Sequence, residues 1–243
     1  MINLNMFQRF ACVLDTTKQI KGSHMDINII NAKTMTVFRS NMLKNRVKGG
    51  FNLIAAGTPR GGTSILGLLL KIFDFEMGDN VHHDKYEDLD LHMTDISNWG
   101  ELIKKKINNT PNWSVKYPAA TRHLDLFYRY CPKPVFLIII RNPFTVVKSM
   151  IDHDPEYSNK ANDYYKSMEI TLESYAQFNR NMQTINAPFI VLEHEKIIAN
   201  PALFIQEFVD TLNIKTDQAT IDKAIYLISS PGYKRIEDLD NNC

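Results

Sequence analysis

The stretch FNLIAAGTPRGGTSILGLLLKIF occupies residues 51–73 and combines an apolar run, a glycine-rich turn and an amphipathic segment. The run Phe51–Ala56 has the length and composition of a buried strand. After the turn, apolar residues recur at i, i+3, i+4 and i+7, a spacing that places them on one helix face: Leu66, Leu69, Leu70 and Phe73. The stretch therefore predicts a strand, a tight turn and a helix that packs on a sheet.

The turn, GTPRGGTS at residues 57–64, has the glycine spacing of a phosphate-binding loop. In the pattern G-x-x-x-x-G-K-[ST], backbone N–H groups at the start of the helix hold phosphate groups. Gly57 and Gly62 fit the two glycines, but Thr63 stands where the pattern has lysine, and Arg60 lies inside the loop. The spacing indicates an anion site whose chemistry differs from that of a lysine-containing loop.

Apolar runs and helix-like segments alternate along the rest of the chain. Further strands are predicted at Trp113–Lys116, Pro134–Ile140 and Pro188–Glu193. Asn142-Pro143 and Asn200-Pro201 are each typical of a helix start, with an N-cap residue followed by a first-turn proline. This order predicts an α/β fold, a three-layer sandwich in which helices cover both faces of a central parallel sheet, like that of P-loop nucleotide-binding proteins. Ligands of such folds bind at the carboxyl ends of the strands.

The composition indicates an ordinary globular protein rather than one that binds polyanions. The chain has 243 residues, of which 44% are hydrophobic and 23% charged, and its formal net charge is +1. A charge so close to zero gives no large basic field, so we expect no nucleic-acid partner. Three widely spaced cysteines indicate a reducing compartment, and no apolar run approaches the roughly 20 residues of a membrane span. We therefore expect a cytoplasmic protein without a transmembrane segment.

The end of the second predicted strand carries an arginine where a metal-binding acid would be expected. Phosphate-loop ATPases and GTPases hold magnesium with an aspartate at this point, whereas PVFLIII is followed by Arg141. An arginine binds an anion directly, and Ser149 in the following helix can donate to the same group. The pair argues against a magnesium–triphosphate site, and no metal is expected.

These two motifs, in this order, resemble those of sulfotransferases that use 3′-phosphoadenosine-5′-phosphosulfate (PAPS). The family's first motif, P-[KR]-x-G-[TS]-[TS], is matched by residues 59–64, and its second, R-[ND]-P-x-x-x-x-x-S, by residues 141–149. A late element of the form Y-E-D-L-x-x-[ND]-P is similar to LEHEKIIANP at residues 192–201. The resemblance implies that the first loop binds the 5′-phosphosulfate and the second motif the 3′-phosphate. The cosubstrate-binding residues it implies are Arg60, Gly61, Gly62, Thr63, Ser64, Arg141 and Ser149.

The same resemblance implies a domain organisation. It covers residues 51–212, so we expect one sulfotransferase-like catalytic domain over residues 49–236. Residues 1–48 have weak periodicity and are taken as an N-terminal extension of unknown role, and residues 237–243 as a short polar tail. Ile65 stands where animal cytosolic members have an aromatic residue that stacks on adenine, which favours a bacterial carbohydrate- or lipid-directed branch.

Four residues are candidates for the transfer step. Arg60 matches the family's catalytic lysine or arginine, which stabilises charge on the leaving phosphate oxygen. The segment WSVKYP has no histidine to act as the general base, so the base must come from elsewhere. Glu87 in the stretch DNVHHDKYEDLDLH is the first choice and His83 the second, while Lys116 is expected to orient the leaving group or the acceptor.

Three functions are compatible with these residues. The first is a PAPS-dependent sulfotransferase that acts on a hydroxyl or amine of a small-molecule, glycan or lipid acceptor, with a carbohydrate or glycolipid favoured. The second is a P-loop-type small-molecule kinase, disfavoured by Thr63 and Arg141. The third is a non-catalytic nucleotide-binding module, which the absent histidine keeps open.

Overall fold

A single sheet of six strands organises the fold. A computed structural model of the protein describes residues 28–153 and 161–230, and the structural statements below concern those residues. The strands are β1 (Ile29–Asn31), β2 (Met35–Phe38), β3 (Asn52–Gly57), β4 (Val115–Lys116), β5 (Pro134–Ile140) and β6 (Phe189–Glu193). Their order in the sheet is β1-β2-β6-β5-β3-β4.

The strands that carry the two motifs are neighbours and run in parallel. Strand β3 pairs with β5 and with β4, and β5 pairs with β6, all in parallel. Strands β1 and β2 instead form an antiparallel pair, and β2 lies antiparallel to β6. The predicted α/β class is confirmed, with the parallel arrangement holding for four strands of a mixed sheet. The carboxyl ends of β3, β5 and β6 therefore meet at one edge.

Ten helices surround the sheet in the described part of the chain. They are α1 (Ser40–Arg46), α2 (Thr63–Ile72), α3 (Leu89–Met93), α4 (Trp99–Asn109), α5 (Leu124–Tyr130), α6 (Pro143–His153), α7 (Ala161–Thr184), α8 (His194–Ala199), α9 (Pro201–Leu212) and α10 (Gln218–Ser229). Short 3₁₀ turns span Ile96–Asn98 and Pro118–Arg122. The side chain of Asn200 accepts from Leu203 N at the start of α9, as the Asn-Pro pair predicts.

Strand β5 separates two hydrophobic cores, because successive side chains of a strand point to opposite faces. Leu137 and Ile139 join the core formed with α2, α9 and α10. Phe136 and Ile138 join the core formed with α4, α5 and α7. All four side chains are buried. Helices therefore cover both faces, as the continuous apolar run predicts.

The sheet extends to the N-terminal side of the predicted domain start at residue 49. Met35 and Val37 of β2 are buried and pair with Leu192 and Ile190 of β6. Residues 29–38 thus contribute two strands to the sheet, a role that the sequence did not reveal. The predicted boundary stays a prediction, and the polar tail at residues 237–243 lies outside the described residues. None of the described helices is both long enough and apolar enough to cross a membrane.

Candidate active site

The first loop joins β3 to α2 through two residues in the left-handed region. Gly61 N donates to Thr58 O at 2.9 Å and closes a tight turn. Arg60 has φ 61° and Gly62, the N-cap of α2, has φ 92°. For arginine this conformation costs on the order of 1 kcal/mol or more, and such strain is characteristic of ligand sites. The N–H groups at the start of α2 have no intrahelical acceptor and can bind an anion.

Gly61 and Gly62 in the turn are both sterically required. A Cβ on Gly62 would lie 2.3 Å from Cδ2 of His194, and one on Gly61 would lie 2.5 Å from Oγ1 of Thr58. No real side chain makes such contacts, so any larger residue would displace the loop or its neighbours. The loop follows its strand directly, as the glycine spacing predicts.

The second motif meets the first at the sheet edge. Nη1 of Arg141, the residue after β5, donates to the carbonyl oxygen of Arg60 at 3.0 Å. The Nε atoms of both arginines are buried and have no hydrogen-bond partner in the described part of the chain. The structure therefore brings Arg60 and Arg141 together and leaves buried donors on both. Ser149 is half-buried in α6, six residues after the first residue of that helix.

A tyrosine that sequence reasoning missed holds the backbone of Arg141. The hydroxyl of Tyr175, in α7, accepts from Arg141 N at 3.1 Å and donates to Arg141 O at 2.5 Å. Burial raises the pKa of Tyr175, so the hydroxyl stays protonated at neutral pH. Nothing in the sequence marks this residue, because its partner lies 34 positions away and the contact is to backbone atoms.

The late element at residues 192–201, which begins in β6, contacts the second motif at the same sheet edge. Glu195 Oε1 accepts from the backbone N of Asn142 at 2.9 Å, and Asn142 Oδ1 accepts from Phe144 N at 3.0 Å. His194, the first residue of α8, is half-buried. Burial lowers the pKa of His194, the charge of Arg141 lowers it further, and Glu195 opposes the shift. Sequence reasoning matched this stretch to the family without singling out its histidine.

The structure joins Lys116 to Glu87, two of the residues predicted to act in the transfer step. Nζ of Lys116 donates to Glu87 Oε1 and to Lys85 O, both at 2.8 Å. The Lys116 side chain is 1% exposed and that of Glu87 is 22% exposed. Burial lowers the pKa of Lys116 and the carboxylate of Glu87 opposes this shift. Tyr117, also near Glu87, has its pKa raised by burial and then by the negative charges of Glu87 and Asp88.

The loop that carries Glu87 packs against the helix that follows the first loop. A Cβ on Gly67 of α2 would lie 2.4 Å from Cβ of Tyr86. Gly67 is four residues after Thr63, the first residue of α2, which is about one helical turn. The loop that carries Glu87 therefore lies against α2 about one turn from the start of that helix.

His83 lies on the same loop as Glu87, at the protein surface. Its side chain is 63% exposed, and its Nδ1 lies 3.5 Å from Oδ1 of Asp84. The neighbouring His82 points elsewhere, since its Nδ1 accepts from Asp84 N and Lys85 N. Within residues 28–153 and 161–230, no three His, Cys, Asp or Glu side chains are grouped as a metal site would require.

A polar cavity of about 420 Å³ adjoins the loop that carries Glu87. Its size falls in the range of small-molecule sites, roughly 300–1,000 Å³. Lys106 on its wall pairs with Asp88 at 2.9 Å and with Asp90 at 2.5 Å. The lining side chains that can hydrogen-bond a ligand include those of Asp79, Asn80, Asp90, Thr94, Lys106 and Thr110.

Comparisons with known proteins bear on this arrangement. The model of the sulfotransferase family matches residues 76–218, more than half of the 243-residue chain. The match includes the second motif and the late element but begins after the first loop. The sequence gives no match among curated proteins.

Among solved structures, the chain is similar to the crystal structure of mouse sulfotransferase SULT7A1 complexed with PAP. The likeness covers 88% of this chain and 77% of that one, with 12% sequence identity and a TM-score of 0.44. The assignment of a family accordingly rests on the sequence match. Because that match spans most of the sheet's carboxyl edge and more than half of the chain, the protein belongs to the sulfotransferase family.

Proposed function

We propose that this enzyme transfers the sulfuryl group of PAPS to a hydroxyl or amine of a carbohydrate or glycolipid acceptor. The observation that carries the proposal is the contact between the two motifs, in which Arg141 Nη1 donates to Arg60 O at 3.0 Å. Two arginines that follow neighbouring parallel strands suit a ligand with two separate anionic groups.

The nucleotide is held by the two motifs in different ways. The N–H groups at the start of α2, with Thr63 and Ser64, bind the 5′-phosphosulfate. Arg141 and Ser149 bind the 3′-phosphate. The buried, unpaired Nε atoms of Arg60 and Arg141 support this assignment, because a buried donor without an acceptor destabilises a protein by about 1–3 kcal/mol unless a ligand completes it.

The chain's own residues supply what the transfer needs. The acceptor oxygen or nitrogen bonds to sulfur as the bond from sulfur to the 5′-phosphate oxygen breaks, and the acceptor's proton passes to Glu87. Arg60 stabilises the negative charge that develops on the leaving phosphate oxygen. Lys116 is a positioning residue, since it is buried and reaches the reaction only through Glu87 Oε1. The exposed His83 is the second choice as base.

The polar cavity is the proposed site for the part of the acceptor that does not react. Sugar hydroxyls both donate and accept hydrogen bonds, and the cavity offers carboxylates, amides, hydroxyls and an ammonium group. Lys106 on the cavity wall binds Asp88, the residue after Glu87.

Nucleotide selectivity is the first test. A metal-free thermal-shift titration compares 3′,5′-bisphosphoadenosine with AMP, ATP and ATP with magnesium. A ligand at about 100 times its Kd stabilises the fold by roughly 2.7 kcal/mol, a shift of several degrees. We expect the bisphosphate to give this shift and AMP to give a much smaller one. A shift only with ATP and magnesium would overturn the proposal in favour of a kinase.

Turnover is the second test. Release of bisphosphate from PAPS is followed with oligosaccharide, glycolipid and simple phenol acceptors, in the wild type and in Arg60→Ala. We expect turnover with a sugar-containing acceptor, and a loss of about 10²-fold or more in kcat for the variant with bisphosphate binding nearly intact. Tight bisphosphate binding without turnover on any acceptor would instead identify a non-catalytic binding module.

A further inference from the structure

We propose that His194 binds the 5′-phosphosulfate end of the nucleotide as an imidazolium and takes up a proton when the nucleotide binds. The inference rests on the proposed function and adds a third group to the site. The sheet order β6-β5-β3 places three strand ends side by side. They are followed by His194, by Arg141 and by the loop with Arg60, so each end carries a cation or a group that can become one.

The contact with Gly62 places the imidazole at the anion site. A Cβ on Gly62 would lie 2.3 Å from Cδ2 and 3.0 Å from Nε2 of His194. The ring therefore rests against the residue that caps α2, next to the N–H groups that face the anion. In the part of the chain that the structure describes, neither imidazole nitrogen of His194 makes a hydrogen bond. The ring is thus adjacent to the proposed ligand and has a nitrogen available for it.

The charges around the imidazole favour its neutral form until an anion arrives. Arg141 approaches from the end of β5, Arg60 belongs to the loop packed against the ring, and Glu195 follows on α8. Burial and Arg141 lower the pKa of His194, and Glu195 opposes them only in part. A bound phosphate group reverses this balance by bringing negative charge to the ring.

Proton uptake makes nucleotide affinity depend on pH. When binding raises the pKa of a group, affinity increases as pH falls from the bound pKa toward the free pKa. The limit for one proton is about tenfold per pH unit. An arginine guanidinium stays charged throughout this range. The 3′- and 5′-phosphates of the ligand titrate near pH 6 themselves, so the effect of His194 must be isolated by comparing variants.

The experiment measures the Kd of 3′,5′-bisphosphoadenosine by calorimetry between pH 6 and 8.5, in buffers of different ionisation enthalpy. The full chain is compared with His194→Gln, with His194→Lys as a permanent cation, and with His92→Gln as an exposed control histidine on α3. The ratio of variant to wild-type Kd cancels the titration of the ligand. We expect this ratio for His194→Gln to rise by about tenfold as pH falls from 8 to 6, and the proton uptake in excess of that of the ligand's own phosphates to vanish.

The lysine variant gives an independent readout if the glutamine variant folds poorly. We expect His194→Lys to bind at pH 8 at least as tightly as the wild type and to show no proton uptake beyond that of the ligand's own phosphates. The ratio for His92→Gln should stay near one at every pH. A His194→Gln ratio that is raised equally at all pH values, or that stays near one, overturns the inference. If the wild type does not prefer the bisphosphate to AMP, the proposed function fails instead, so the two failures are distinguishable.

Discussion

The two hydrogen bonds between the Tyr175 hydroxyl and the backbone of Arg141 provide a test of what stabilises the nucleotide site. Replacing Tyr175 by Phe removes one oxygen atom and keeps the ring. That oxygen accepts from Arg141 N and donates to Arg141 O. The substitution therefore releases both backbone groups of the residue whose guanidinium contacts the first loop, without creating a large cavity.

The expected loss follows from the two hydrogen bonds. Each contributes a net of about 1 kcal/mol, and a buried backbone group left without a partner costs about 1–3 kcal/mol. Because Tyr175 is half-buried, water replaces part of the loss, and we expect a destabilisation of about 2–3 kcal/mol. For a protein of this size each kcal/mol lowers Tm by about 2–4 °C, so Tm should fall by roughly 4–12 °C.

Nucleotide selectivity distinguishes a positioning role for Tyr175 from a merely structural one. Looser placement of Arg141 should weaken the binding of 3′,5′-bisphosphoadenosine by about tenfold, or 1.4 kcal/mol, with little effect on the binding of AMP. In an Arg141→Ala background, Tyr175→Phe should weaken the bisphosphate no further. Tyr165→Phe is the matched control, since Tyr165 lies on the same helix and is 74% exposed.

Two results would refute this reasoning. A fall in Tm with an unchanged ratio of bisphosphate to AMP affinity would mean that Tyr175 supports only the fold. An unchanged Tm would mean that the two hydrogen bonds contribute nothing net.

Three further predictions concern the acceptor side, the first loop and pH. Lys116→Met should lower kcat while leaving bisphosphate affinity unchanged, because the buried ammonium binds Glu87 and the Lys85 carbonyl oxygen rather than either motif; turnover and nucleotide titration check this. Gly62→Ala should destabilise the fold by about 1–3 kcal/mol and abolish nucleotide binding, since its φ is 92° and its Cβ would overlap His194; thermal unfolding and titration check this. The lowered pKa of His194 means that the unfolded chain binds more protons than the folded chain below about pH 6.5. The nucleotide-free protein should therefore lose stability on acidification. His194→Gln should remove this part of the pH dependence, as urea unfolding at pH 5.5 and 7.5 would show.

Each of these predictions has a contradicting result. A Lys116 variant that loses nucleotide affinity would place that residue in the nucleotide site. A Gly62 variant that binds normally would show that the ring of His194 does not rest against the loop. A pH dependence unchanged in His194→Gln would assign the proton uptake on unfolding to other groups.

Local signals explain why most of the fold could be predicted from the sequence. The continuous run of β5 is buried on both faces, and the Asn-Pro pairs begin α6 and α9 as expected. These features depend on residues within a few positions of each other. Strands β1 and β2 have only three and four residues; β2 joins the sheet by pairing with β6 about 150 positions later, and β1 joins it through β2. No window of sequence that short carries a readable period.

Some residues of the candidate site are likewise marked by a local sequence pattern, and others are not. Glycine spacing marks the first loop because the turn itself requires glycine, and an arginine directly after an apolar strand marks Arg141. Tyr175 and His194 carry no such mark, since each acts through a contact with a distant residue. Glu87 and Lys116 were proposed separately as base and orienting group, and only the structure shows that one is bound to the other.

The contact between the two motifs has a consequence for binding. Arg60 holds a left-handed conformation that arginine disfavours, and Arg141 helps to fix it by donating to its carbonyl oxygen. Arg141 is in turn fixed by Tyr175. The loop is therefore ordered before a nucleotide binds to either arginine. Part of the entropy cost of ordering the site arises on folding rather than on binding. Removing the 3′-phosphate should consequently lower affinity by little more than the loss of the Arg141 contact itself, because the loop is ordered without the ligand.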